Sequence, residues 1–108
     1  MVEAEWIIED IAGRGVVDNS HASLIFLPGG RLAGNASCNN LIGHYSADGM
    51  SLTLTPVGVT MMACPDALMA QEQKLLGALG TVERYAIDKN DALILFTASG
   101  GTIKAYGR

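Results

Sequence analysis

The chain has 108 residues, enough for one hydrophobic core but not two, so a single domain over 1–108 is expected. Its 49% apolar and 17% charged residues exclude a disordered chain, and a net charge of −4 with seven scattered Lys and Arg argues against nucleic acid as a partner. No apolar run approaches the roughly 20 residues that a membrane-crossing helix needs.

The opening Met1-Val2-Glu3-Ala4-Glu5 has neither the basic start nor the apolar stretch of an export signal. The expectation is therefore a cytoplasmic protein, or a periplasmic or outer-membrane-associated one whose signal has been removed. Val2 to Ile11 holds the β-branched and aromatic run Trp6-Ile7-Ile8, which predicts a first strand. Gly13, Gly15 and Asp18-Asn19-Ser20 predict a turn or short loop. From Ala22 to Leu27 a second strand is apolar on both faces near its end, and Pro28-Gly29-Gly30 turns it back as a hairpin. The third strand, about Arg31 to Ser37, places Leu32, Gly34 and Ala36 on one face, and such small residues predict a close backbone approach or a strong bend.

Ser37-Cys38-Asn39-Asn40 is a polar turn leading into a fourth strand, Leu41 to Ser46, with Ala47-Asp48-Gly49 as the next turn. Met50, Leu52 and Leu54 alternate with Ser51, Thr53 and Thr55 in the cleanest half-buried strand of the chain. Pro56 and Gly58 are expected to interrupt it, leaving Val59 to Met62 as a short extended piece.

One segment has helical spacing. Pro65 suits a first helical turn, and Asp66 offers a cap or a favourable charge at the positive end of the dipole. Leu68, Leu75, Leu76 and Leu79 then share a face, and Gly80 stops the helix. Glu72, four residues after Leu68, falls inside this apolar stripe, where a carboxylate is costly unless it accepts hydrogen bonds. Asn39, Asn40, Thr60 and nearby backbone amides are its candidate donors. Three strands close the chain, Val82 to Asp88, Ala92 to Ala98 and Thr102 to Gly107, turned at Lys89-Asn90-Asp91 and Ser99-Gly100-Gly101. The predicted fold is α+β: a curved antiparallel sheet or partial barrel of about 8 short strands with one α-helix packed against it.

Cys38 and Cys64 both flank changes of direction, which suggests that they meet in space. A bridge between them would close a loop of about 26 residues, worth roughly 3–4 kcal/mol through the chain entropy of the unfolded state. The other reading is a pair of reduced, buried thiols, the normal state in a cytoplasm. Cys38, Cys64, His21 and His44 lack the short ligand spacing of a structural zinc knuckle, so no metal and no cofactor is expected. A nucleophilic Cys38 would need a histidine to activate it; His44, six residues on, reads more simply as a strand residue. Asn39 and Asn40 are ordinary turn formers, and Met50, Met61, Met62 and Met69 are as suited to filling gaps in a core as to lining a pocket.

Trp6, Ser37-Cys38-Asn39-Asn40, Gly43, Tyr45, Thr60 through Cys64, Glu72 and Leu93-Ile94-Leu95-Phe96 occur in an order that resembles the META domain family, which includes the bacterial heat-shock protein HslJ. The Cys-Asn pair and the Thr-Met-Met-Ala-Cys segment are its most specific parts. The resemblance implies a compact α+β domain, often exported or lipid-anchored in bacterial envelopes, linked to stress and without an established enzymatic activity. It carries over no catalytic residues. On this basis the chain is expected to be a monomeric, non-enzymatic envelope stress-response or accessory domain that binds a protein or a small apolar ligand. A structural module of a larger assembly, or a cysteine-dependent enzyme using Cys38 and His44, are the other readings.

Overall fold

Alternation of apolar and polar side chains shapes most of this chain, because a strand that puts every second residue inward needs other strands to close around the same interior. The computed structural model describes residues 4–11, 13–15, 22–60 and 62–107, with Arg14 described by its backbone alone. Its strands are β1 Glu5–Ile11, β2 Arg14–Gly15, β3 Ser23–Leu27, β4 Arg31–Asn35, β5 Asn40–Asp48 and β6 Ser51–Val59. A helix, α1 Asp66–Leu79, follows, and then β7 Val82–Ile87, β8 Ala92–Thr97 and β9 Thr102–Gly107.

Each strand from β3 onward pairs antiparallel with the next, and β1 lies between β3 and β9. The pairing of β1 with β9, from Trp6 opposite Gly107 to Ile11 opposite Ile103, closes eight strands into a barrel, while the short β2 folds back on the end of β1. One seam is thin. Strands β6 and β7 share a single register pair, Ser51 opposite Arg84, backed by the Tyr85 N–H donating to the Met50 carbonyl at 3.0 Å. The helix connects these two strands, and its Leu75 and Leu79 are buried in the same core as Leu52, Leu93 and Leu95.

The inward set is Trp6 and Ile8 of β1, Leu24 and Phe26 of β3, Leu32 of β4, Leu41 of β5, Leu52 and Leu54 of β6, and their counterparts on β8 and β9. Phe26 meets Tyr45 edge-on at 5.1 Å between ring centres, and the Tyr45 hydroxyl donates to the Leu27 carbonyl at 2.9 Å. The small residues of β4 and β5 are where neighbouring strands come too close for a side chain. A Cβ at Gly34 would run into the Ser23 carbonyl on β3, and one at Gly43 into the Thr55 carbonyl on β6.

Several boundaries differ from expectation. Strand β6 runs unbroken through Pro56 and Gly58 to Val59, because a register shift between Ile42 and Gly43 on β5 accommodates the irregularity. Val59 of the expected extended piece is therefore the end of β6, Thr60 and Met62 are in no strand, and Met61 lies outside the described residues. Strand β5 continues through Ala47 and Asp48, so the turn falls at Gly49-Met50. β4 stops at Asn35, two residues short of Ser37. The expected loop near residue 13 contains β2, and Asp18-Asn19-Ser20 lie outside the described residues.

The helix begins after Pro65, which is its N-cap and not part of its first turn. Asp66 makes no capping bond, so it acts through its charge beside the helix N-terminus. Gly80 ends the helix in a right-handed conformation, φ −68°, with its N–H donating to the Leu76 carbonyl at 3.3 Å. The buried stripe is Gln71, Glu72, Leu75 and Leu79; Leu68 and Leu76 are half-buried at its margins.

Candidate functional site

Glu72 is 1% exposed, and among the described residues its hydrogen bonds all go to the turn between β4 and β5. Its Oε1 accepts the backbone N–H of Asn39 at 2.7 Å and that of Cys38 at 3.2 Å, and its Oε2 accepts the Asn39 side-chain amide at 2.8 Å. Burial pushes the carboxyl up, but the Asn39 side chain and the two backbone N–H groups together outweigh it. The group therefore sits below its ordinary range and is held ionised.

Asn39 is the centre of the cluster. While its amide nitrogen donates to Glu72, its Oδ1 accepts the Thr60 hydroxyl at 3.0 Å and the Met62 N–H at 2.6 Å. Thr60 closes the circuit, since its Oγ1 accepts the Asn40 N–H at 3.0 Å and its own N–H donates to the Asn40 carbonyl at 3.1 Å. Asn40 therefore takes part through its backbone, with an exposed side chain, and neither Asn40 nor Thr60 bonds directly to Glu72. The Cys38–Cys64 disulfide joins the same turn to the segment entering the helix, across a Cα separation of 6.3 Å.

Two further members have a sequence signal that is easy to overlook. Gln71 is buried and donates from Nε2 to the Ser37 hydroxyl at 2.7 Å. Gln71 stands three residues after Leu68 and four before Leu75, so helical spacing alone places it on the inner face. Ser37 has φ 106°, a left-handed conformation that a non-glycine residue adopts only when its surroundings impose it. Here Asn35 Oδ1 accepts its N–H at 2.8 Å, Gln71 bonds its hydroxyl, and the Ala36 N–H donates to the Asn39 carbonyl at 2.8 Å.

The sequence's six site residues thus fall into one knot of polar groups that bonds inward. A bridged Cys38 has no thiolate to offer as a nucleophile, and His44 stands on the outside of β5 opposite Arg31. Of the four candidate metal ligands, the two cysteines are bonded to each other and His21 lies outside the described residues. Among the described residues no three acidic, histidine or cysteine side chains converge on a possible metal site, and no helix is long and apolar enough to cross a membrane. Met50 and Met62 are exposed and Met69 half-buried, so these three do not form a common lining; Met61 lies outside the described residues.

What remains open is the outer surface of β3 to β6. Ile42 is 62% exposed and Val57 61%, on paired strands, with Leu27 and Ala33 half-buried beside them. They border a shallow groove of about 260 Å³ whose edge carries Arg31 and His44.

A protein from Burkholderia xenovorans solved by NMR has the same fold, with a TM-score of 0.83 at 21% identity over 99% of this chain and 83% of that one. A second NMR structure matches with a TM-score of 0.73 at 20% identity, covering 98% and 90%. A DUF4847 family protein from Bacteroides vulgatus matches at 0.70 and 14%, covering 98% and 92%. At these identities the likeness is one of fold alone. No curated protein matches the chain in sequence. The META domain model matches residues 1–108, from end to end, and with the barrel, the helix and the Cys38-Asn39 turn in place the chain belongs to the META domain family.

Proposed function

We propose that this META domain is a non-enzymatic accessory module of the bacterial cell envelope, acting in stress response by binding a small apolar ligand or protein partner on the outer face around Ile42 and Val57. The observation that carries this reading is the contrast between two surfaces. The polar groups that a sequence motif would offer for chemistry, Asn39, Thr60 and Glu72, bond to one another and to the backbone. Ile42 and Val57, by contrast, leave more than half of their surface to water, a cost that a binding face recovers when it is covered. The Cys38–Cys64 disulfide supports the envelope assignment, since such bonds persist in the oxidising periplasm and are kept reduced in most cytoplasms.

The test is a paired substitution, Ile42→Ser with Val57→Ser, introduced into the gene of the producing bacterium. Both side chains are exposed, so the thermal melt should move little. Survival under heat or antibiotic stress should fall to that of the deletion strain. Full survival of the substituted strain would mean that this face binds nothing the cell needs.

A further inference from the structure

We infer that the outer groove binds a free single-chain carboxylate, its head group held by Arg31 and His44 and its alkyl body lying on Leu27, Ala33, Ile42 and Val57. This rests on the reading of that face as the binding surface and gives it a ligand class. The groove has an apolar floor with one charged edge. Arg31 and His44 are register partners on β4 and β5, so their side chains leave the same face of the sheet next to each other. Both are exposed, and among the described residues neither side chain has an ion-pair or hydrogen-bond partner. Among the described residues no Asp or Glu lines this groove, although the chain as a whole carries a net charge of −4. A guanidinium and an imidazole at the rim of an apolar trough complement an anionic head on a hydrocarbon body.

The neighbouring surface fixes the direction of the ligand. Ala33 and Ile42 also line a second concavity of about 390 Å³, which continues across the sheet past Ile25. Ile25, Ala33, Ile42 and Gly58 are successive register partners on β3, β4, β5 and β6, so the apolar track runs from strand to strand. Glu5, opposite Ile25 on β1, lies at the far side of that concavity. Among the described residues no cation lines that concavity, whereas a carboxylate at the other end meets Arg31. The head therefore sits over Arg31 and the tail points toward Ile25.

Titration of the whole protein with sodium octanoate, followed by amide NMR shifts, tests this. Octanol supplies the tail without the charge, and acetate the charge without the tail. Octanoate should shift the amides of Arg31, Ala33, Ile42 and His44 saturably, octanol should bind about tenfold more weakly, and acetate should leave them in place. Arg31→Gln should bring octanoate down to the affinity of octanol without moving the thermal melt, and Ile42→Ser should weaken both. Equal binding of octanoate and octanol, indifference to Arg31→Gln, or shifts elsewhere on the barrel would overturn the assignment. So would phosphatidylglycerol vesicles perturbing these amides where octanoate does not, an outcome that would give the face to a membrane surface. Loss of octanoate binding as a hypothesis leaves the wider reading standing if the Ile42→Ser, Val57→Ser strain still loses stress survival.

Discussion

Glu72 is an ionised group placed where water does not reach, and its three donors decide whether that is tolerable. The sequence predicted its burial from helical spacing, and named the Asn39 turn and the Thr60 segment as its candidate partners. Thr60 acts instead one step removed, by fixing Asn39, because a hydroxyl that already bonds Asn39 Oδ1 has no proton left for the carboxylate. That division of labour depends on which way the Asn39 amide faces, a matter no spacing rule encodes. It also separates two substitutions. Glu72→Gln keeps one acceptor for the backbone N–H groups but turns an NH2 toward the Asn39 amide nitrogen, so it should cost about 1–2 kcal/mol. Glu72→Leu strands all three donors and should cost about 3 kcal/mol or more. Denaturant titration of both variants checks the order. Because the folded carboxyl titrates below its ordinary value of 4.5, the stability it supplies is present above that pH and is lost as the pH falls through the lower, folded value. Wild type should therefore weaken steeply in acid, and Glu72→Gln should lose part of that slope; identical acid limbs would show that Glu72 is not the group responsible.

Strands β4 and β5 show what a reading of elements from sequence captures and what it misses. The small residues of β4 predicted a close approach, and Gly34 lies against the Ser23 carbonyl so tightly that no side chain fits. Gly34→Ala should destabilise by about 2 kcal/mol or more, because backbone has to move. Gly58→Ala on β6, where a Cβ meets nothing within 4 Å, should change stability by under about 0.5 kcal/mol. Comparable losses in thermal melts would mean that the close approach of β3 and β4 does not depend on Gly34. The continuation of β6 past Pro56 was not legible, since a proline inside a strand predicts its end unless the partner strand is known to shift register there. Likewise the apolar character of β3 on both faces was visible in sequence, but not its meaning. Leu24 and Phe26 fill the barrel, whereas Leu27 borders the outer groove.

Over the whole molecule, the disulfide and the Asn39 circuit fasten the same two segments by independent means. The covalent link acts on the unfolded chain and the hydrogen bonds on the folded one. Reduction, or Cys38→Ser with Cys64→Ser, should lower stability by about 3–4 kcal/mol and the melting temperature by about 15 °C, while the amide spectrum of the barrel stays native. A melt indifferent to reductant would mean that Asn39, Thr60 and Glu72 hold these segments unaided. The eight-strand count and the helix were legible because their alternation and spacing are local. Closure was not, since it depends on β1 meeting β9, a pairing between residues about as far apart in the chain as any two can be. That pairing has a consequence for birth on the ribosome. During synthesis β1 can find β3 early, yet its other edge must wait until β9 has been made. For that interval a nascent chain carries an open, templating strand edge beside an apolar interior. β1 is therefore the edge that stays unpaired longest, until β9 is free to meet it.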